Sequence, residues 1–152
     1  MLRFDDLDTA IKTAATNRSK LVFEPTEQSG ELDRTEIFRV NINKALSEQL
    51  IGVPQSDRAK SVERIIADLI DTAQSAVVQL TGLEILFDRS LSIDPIRLLR
   101  ACAKNKTLIV RWPGEVTNDG LSYAAPSHPE YRSYRASDLS DVILLTSECV
   151  RR

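Results

Sequence analysis

Five short apolar runs, separated by stretches of helical periodicity, restrict this chain more than any other feature. Lys20–Glu24 (KLVFE), Ile37–Asn41, Ala76–Leu80 (AVVQL), Thr107–Arg111 and Val142–Thr146 (VILLT) each have the length and apolar content of a short strand. Between them the period changes. Phe4, Leu7, Ile11 and Ala14 or Ala15 predict an amphipathic helix over residues 4–16, inside an N-terminal helical segment 1–19. Asn43–Ile51 reads as helix and is ended by Gly52-Val53-Pro54. Ser56 or Asp57 can cap a further helix that carries Val62, Ile65, Ile66, Leu69 and Ile70 on one face. Leu83–Phe87 predicts a short helix, and Pro95–Lys104 a longer one with Asp94 as its cap. Strand and helix in alternation predict an α/β fold, with a mainly parallel sheet and helices on both faces. At 152 residues the chain suits one domain, with a core over 20–146.

Charge and cysteine content remove several function classes. Twenty basic residues stand against 22 acidic ones, a formal charge of −2, so no global field draws in nucleic acid or an acidic membrane. Cys102 and Cys149 make neither a metal set nor a disulfide framework, and no metal site is expected. Cys102 falls in a helical pattern and reads as a small buried apolar group. The first residues, MLRFDDLDTAIKTAATNRSK, carry acids where a signal peptide is basic and lack an apolar run. No window reaches the length of a membrane span, so no membrane partner and a cytoplasmic location are expected.

In a parallel sheet, ligand sites lie beyond the carboxyl ends of the strands, which directs attention to residues 24–31, 81–84 and 111–114. A phosphate loop after Leu21-Val22-Phe23 needs glycines whose N–H groups face the phosphates, a Lys to neutralise them and a Ser or Thr for Mg²⁺. The residues present are Glu24-Pro25-Thr26-Glu27-Gln28-Ser29-Gly30-Glu31. With Gly30 matched to the last motif glycine, Glu31 takes the Lys position. A charge of the wrong sign at 4 Å shifts the interaction by about 4 kcal/mol in each direction at an effective dielectric near 20. An Asp should end the strand Val77-Val78-Gln79-Leu80, yet Thr81 stands there. Glu84 is the nearest carboxylate and is expected on the solvent side of a helical turn. The loop position (Glu24, Ser29, Gly30, Glu31) and the acid position (Thr81, Glu84) are therefore either degenerate or never belonged to a nucleotide site, two readings that fit the residues equally well, and neither ATP nor Mg²⁺ is expected as a cofactor.

The segment after Thr107–Arg111 holds all three tyrosines of the chain and its only histidine. Residues 112–135 read as an aromatic-basic loop that either docks onto something or packs onto the body. Trp112, Tyr123, His128, Glu130, Tyr131, Arg132, Tyr134 and Arg135 form the expected interaction surface. His128, between two prolines and without a nucleophile pattern, reads as a turn hydrogen-bonder. Arg97, Arg100, Lys104, Lys106 and Arg111 add positive charge with no acid among residues 95–114, which makes DNA or RNA contact a second reading beside that of a solvated helix face. The acids of 24–36 against the bases of 95–111 and 132–135 suit a basic protein partner or head-to-tail self-association.

Several pieces together resemble one family. They are Asn41-Ile42-Asn43 with Leu46-Ser47, Leu83-Glu84-Ile85-Leu86-Phe87-Asp88, Asp94-Pro95-Ile96-Arg97-Leu98-Leu99, Trp112-Pro113-Gly114, Leu121-Ser122-Tyr123-Ala124, and Pro126-Ser127-His128-Pro129-Glu130-Tyr131-Arg132 with Tyr134. Over roughly residues 20–146 the chain is similar to the BrxF family, small P-loop-containing proteins of type 3 BREX phage-defence systems. The resemblance implies a P-loop NTPase-like fold and other BREX proteins as partners. The chain departs from it where that family binds nucleotide: the Lys-bearing loop is gone, the helix after it is shortened to Glu31–Arg34, and Thr81 replaces the acid. No catalytic residue is carried over. The expected function is a non-catalytic interaction subunit. The alternatives are a residual ATPase that borrows Arg34 or Arg58, and a nucleic-acid module on the basic-aromatic face.

Overall fold

Six strands pair in parallel, in the order β1-β9-β2-β5-β4-β3. They are β1 (Leu2–Phe4), β2 (Leu21–Pro25), β3 (Ile37–Asn41), β4 (Val77–Thr81), β5 (Thr107–Trp112) and β9 (Ile143–Leu145). The computed structural model describes residues 2–4, 7–17, 20–25 and 37–145. The expected helix over Glu31–Arg34, the loop residues Ser29, Gly30 and Glu31, and Cys149 lie outside the described residues, as does most of the acidic segment 24–36.

The alternation of side chains along β2 shows why the sheet needs cover on both sides. Leu21 and Phe23 join the larger apolar cluster, with Leu46, Ile66, Ile70, Ile96 and Leu99 from helices α2 (Ile42–Gln49), α3 (Arg58–Thr72) and α4 (Pro95–Cys102). Val22 points the other way and packs with Leu7, Ala10 and Ala14 of α1 (Leu7–Thr16) and with Ile109, Ile143 and Leu145. Both faces are dressed with helices, and the α/β layout with a parallel sheet holds.

Three expectations change. The first helix does not include Phe4: Leu2–Phe4 runs alongside β9 as an edge strand, and the helix begins at Leu7. Backbone pairing at a sheet edge outweighs helical periodicity there. Leu83–Phe87 becomes a 3-10 turn over Glu84–Phe87 rather than an α-helix. The largest change is in residues 112–135, of which only 124–131 remain a loop. The segment builds a second, antiparallel sheet of β6 (Glu115–Thr117), β7 (Gly120–Tyr123) and β8 (Arg132–Arg135), in the order β6-β7-β8. Asn118 and Asp119 make the two-residue connection between Thr117 and Gly120, whose φ of +143° suits only glycine. Asn-Asp-Gly between alternating residues is a hairpin signal that the sequence did carry.

Candidate functional site

At the carboxyl end of the central strand, Glu24 of β2 is the register partner of Arg111 on β5. Glu24 is 1% exposed, so its carboxylate is not part of a solvated loop. Its Oε1 accepts a 2.5 Å hydrogen bond from Nε2 of Gln79, itself buried on β4. Arg111 Nε stands 3.4 Å from the same oxygen, an ion pair by distance but not a hydrogen bond by angle. Among the described residues, Glu24 Oε2 and Arg111 Nε have no hydrogen-bond partner. The pair's attraction is about 5 kcal/mol at an effective dielectric of 20. Desolvating the carboxylate costs several kcal/mol against it. The end of β2, tested above for a phosphate loop, therefore holds a buried carboxyl group faced by an arginine of the neighbouring strand.

The end of β4 offers no acid. Thr81 closes β4 half-buried, with Oγ1 donating to the Val40 carbonyl at 3.5 Å. Glu84 is exposed, as expected, and accepts from Asn43 Nδ2 at 2.7 Å. Asn43 holds the turn twice more: its Oδ1 accepts from Ile85 N at 3.0 Å, and its own N–H donates to Gly82 O at 2.9 Å. Asn41 Oδ1 caps α2 by accepting from Lys44 N. Gly82, at φ +64°, leaves room for Asn41: a Cβ there would lie 2.6 Å from Asn41 Oδ1. The Asn-Ile-Asn and Leu-Glu-Ile pieces of the sequence are thus one clamp.

The remaining pieces meet around Trp112. This residue is fully buried, which corrects its expected place on an interaction surface. Its ring meets Phe23, Phe87 and Tyr134 edge-on at centroid distances of 5.8, 5.4 and 6.0 Å. Its Nε1–H donates to Ser122 O at 2.8 Å, tying β5 to β7. Tyr123 stacks on Phe87 at 3.9 Å. Asp94 caps α4 by accepting from Ile96 N and Arg97 N, and also accepts from the Tyr134 hydroxyl at 2.8 Å. Burial and that bond push the Tyr134 phenol well above its ordinary value. Arg132 Nη2 donates to Ile93 O at 2.7 Å. Tyr123 and Tyr134 are half-buried braces, and the second sheet is bolted to the first.

His128 forms a turn, as expected. Its Nδ1 accepts from Glu130 N at 3.0 Å, its N–H donates to Ala125 O, and its carbonyl accepts from Tyr131 N. The described residues contain no cluster of three or more possible metal ligands.

No family model, curated protein or solved structure matches this chain.

The basic residues divide into two groups. Arg100 makes a fork on Asp141 (3.0 and 2.8 Å) and donates to Asp138 O at 2.6 Å. Lys106 Nζ covers the last carbonyls of α3, at Ile70, Asp71 and Ala73, where a cation also meets the negative end of the helix. Arg111 faces Glu24. Those three charges are used inside the molecule, and only Arg97 and Lys104 of the five stand exposed. Of the expected surface set, His128, Tyr131 and Arg135 are exposed and Glu130 is half-exposed. Sequence reasoning missed Gln79, Phe23 and Phe87 as partners of the site residues, because contacts between distant strands leave no local pattern. No helix among the described residues is long and apolar enough to cross a membrane.

Proposed function

We propose that this chain is a non-catalytic, P-loop-like interaction subunit that works beside the proteins of a BREX-type antiphage system in the cytoplasm. The observation that carries the non-catalytic part is the buried Glu24 carboxylate, held by Gln79 and Arg111 where the strand should open into a phosphate site. An incoming polyphosphate would meet a carboxylate, and the nearby guanidinium is already engaged with it. The end of β4 offers Thr81 in place of an acid, and Glu84 is turned to solvent on Asn43. What supports the interaction part is that the turn carrying Tyr131 is tied down, through Tyr131 N on His128 O, His128 N on Ala125 O and Arg132 Nη2 on Ile93 O. A rigid surface pays little ordering entropy on binding. The motif pieces that resemble BrxF proteins also lie at one place, around Trp112 and Asn43.

Calorimetry with ATP and Mg²⁺ tests the first half: no heat of binding is expected, and tight binding would sink it. Affinity capture from the native host, comparing the wild type with Tyr131→Ala, tests the second. Specific BREX proteins should be retained by the first and lost by the second. The residual-ATPase reading is less favoured because Arg58 Nε is committed to Val53 O at 3.1 Å, while Arg34 lies outside the described residues.

A further inference from the structure

Beside the second sheet lies an open groove of about 650 Å³. Arg89, Ser92, His128, Glu130, Tyr131 and Arg132 contribute its polar lining. Two guanidinium groups face it against one carboxylate. Arg89 is exposed and makes no ion pair among the described residues. Arg132 lines the groove at a fixed position, its guanidinium held on Ile93 O and beside the Tyr134–Asp94 pair, so Arg89 is the charge left uncommitted there. His128 Nδ1 accepts from Glu130 N, which leaves the proton of the neutral ring on Nε2 and makes the exposed edge a donor. Tyr131, 38% exposed, also lines a second groove of about 530 Å³ beside Gly114 and Pro126, and stands as a ridge between the two.

One edge of the second sheet runs beside these donors. Ala136 N donates to Asp119 O, which sets the phase of the β7–β8 ladder: Tyr134 and Arg132 exchange backbone bonds with β7. The N–H and C=O of Ser133 then point away from β7, as does Arg135 N, which lies 3.4 Å from Asp138 Oδ2. A free strand edge next to a donor-rich groove suits an extended chain that carries carboxylates.

We propose that the β8 edge and the Arg89–Arg132 groove bind an acidic, extended peptide segment of a protein partner. This rests on the interaction-subunit reading and names the chemistry of the partner. Charge complementarity favours a peptide over nucleic acid. Single-stranded nucleic acid needs a basic track and several exposed stacking faces. Here Arg100, Lys106 and Arg111 are used internally, Trp112 is buried, Tyr123 and Tyr134 are half-buried, and Tyr131 is the one exposed phenyl, phenol or indole ring among residues 112–135.

The probe is a fluorescein-labelled peptide of alternating glutamate and valine, followed by anisotropy on the full chain. Controls are the lysine-valine peptide and a short oligothymidylate. The acidic peptide should bind, the basic one should not, and Arg89→Glu should weaken binding about tenfold, equivalent to about 1.4 kcal/mol. Unchanged circular dichroism of Arg89→Glu would show that the fold is intact. A second variant, Ser133→Pro, removes the outward N–H and should weaken binding without changing charge. No binding of the acidic peptide, equal binding by Arg89→Glu, or tighter binding of the oligothymidylate overturns the proposal. Capture of a BREX protein that depends on Tyr131 but not on Arg89 would overturn only the acidic-peptide inference and leave the interaction-subunit reading standing.

Discussion

Glu24 and Arg111 face each other across adjacent parallel strands, and their charges meet 3.4 Å apart with the carboxylate shut away from water. A buried pair of this kind is weak evidence for stability as a whole but makes its members mutually dependent. Glu24→Ala leaves Arg111 and Gln79 without their anion and should cost about 3 kcal/mol, the low end for a broken buried pair because the Arg111 side chain is 25% exposed. The double variant Glu24→Leu, Arg111→Met should recover most of that loss. Urea unfolding of the single and double variants measures both; a double variant as unstable as the single would contradict the pairing.

Trp112 joins the two sheets, so its loss should be felt in both. Trp112→Ala should cost about 3–5 kcal/mol, as for other buried aromatic truncations. Trp112→Phe keeps much of the packing but leaves Ser122 O without its donor, at about 1–2 kcal/mol. Gly114→Ala tests the same junction without touching the ring. Its Cβ would come within 1.8 Å of Ser122 O, a backbone atom that cannot move aside cheaply. Chemical denaturation should show that all three are destabilised, with Trp112→Phe least.

Cys102 should be unreactive at neutral pH. Burial, with Glu63 and Asp71 nearby, pushes its thiol from 9.0 up to about 11. Because the folded value is the higher one, its contribution to stability is complete below pH 9.0 and is lost as pH rises toward 11. In a Cys149→Ser background, iodoacetamide should react slowly at pH 8 and faster after unfolding in urea. The native rate should climb toward about pH 11; a plateau reached by pH 9 would contradict the shift.

Ala124 has a φ of +63°, a left-handed conformation that costs an L-residue about 1–2 kcal/mol. Ala124→Gly removes that strain and adds chain entropy to the unfolded state, for a net gain of about 0.5–1 kcal/mol. A rise in the urea midpoint at constant m-value checks it.

The parallel sheet was legible because its strands are buried on both faces and read as continuous apolar runs, as in Leu21-Val22-Phe23 and Leu108-Ile109-Val110. Asp94-Pro95 announced α4 correctly, since cap and first-turn chemistry are local. The second sheet was missed because its strands are three or four residues long and only partly buried, so aromatic content masked the Asn-Asp-Gly turn. Phe4 misled for the opposite reason: its spacing suited a helix, while the partner strand β9 lies far along the chain. At the candidate site, residue types indicated that the pattern phosphate chemistry needs is absent. They did not indicate what stands there instead, because the Gln79–Glu24 bond joins positions 55 residues apart. The basic residues show the same limit: sequence counts charges, and only the fold reveals that Arg100 belongs to Asp141.

The chain has one tryptophan, and it is Trp112. Its indole is therefore a native optical reporter placed at the seam between the two sheets. With excitation at the red edge of the absorption band, where tyrosine hardly absorbs, emission from the wild type comes from that seam without any labelling. A partner that settles on the outer sheet and shifts Tyr134 or Tyr123 by a fraction of an ångström changes the surroundings of this one fluorophore. Docking can thus be followed in real time from the unmodified protein, and separated from binding events that leave the seam at rest.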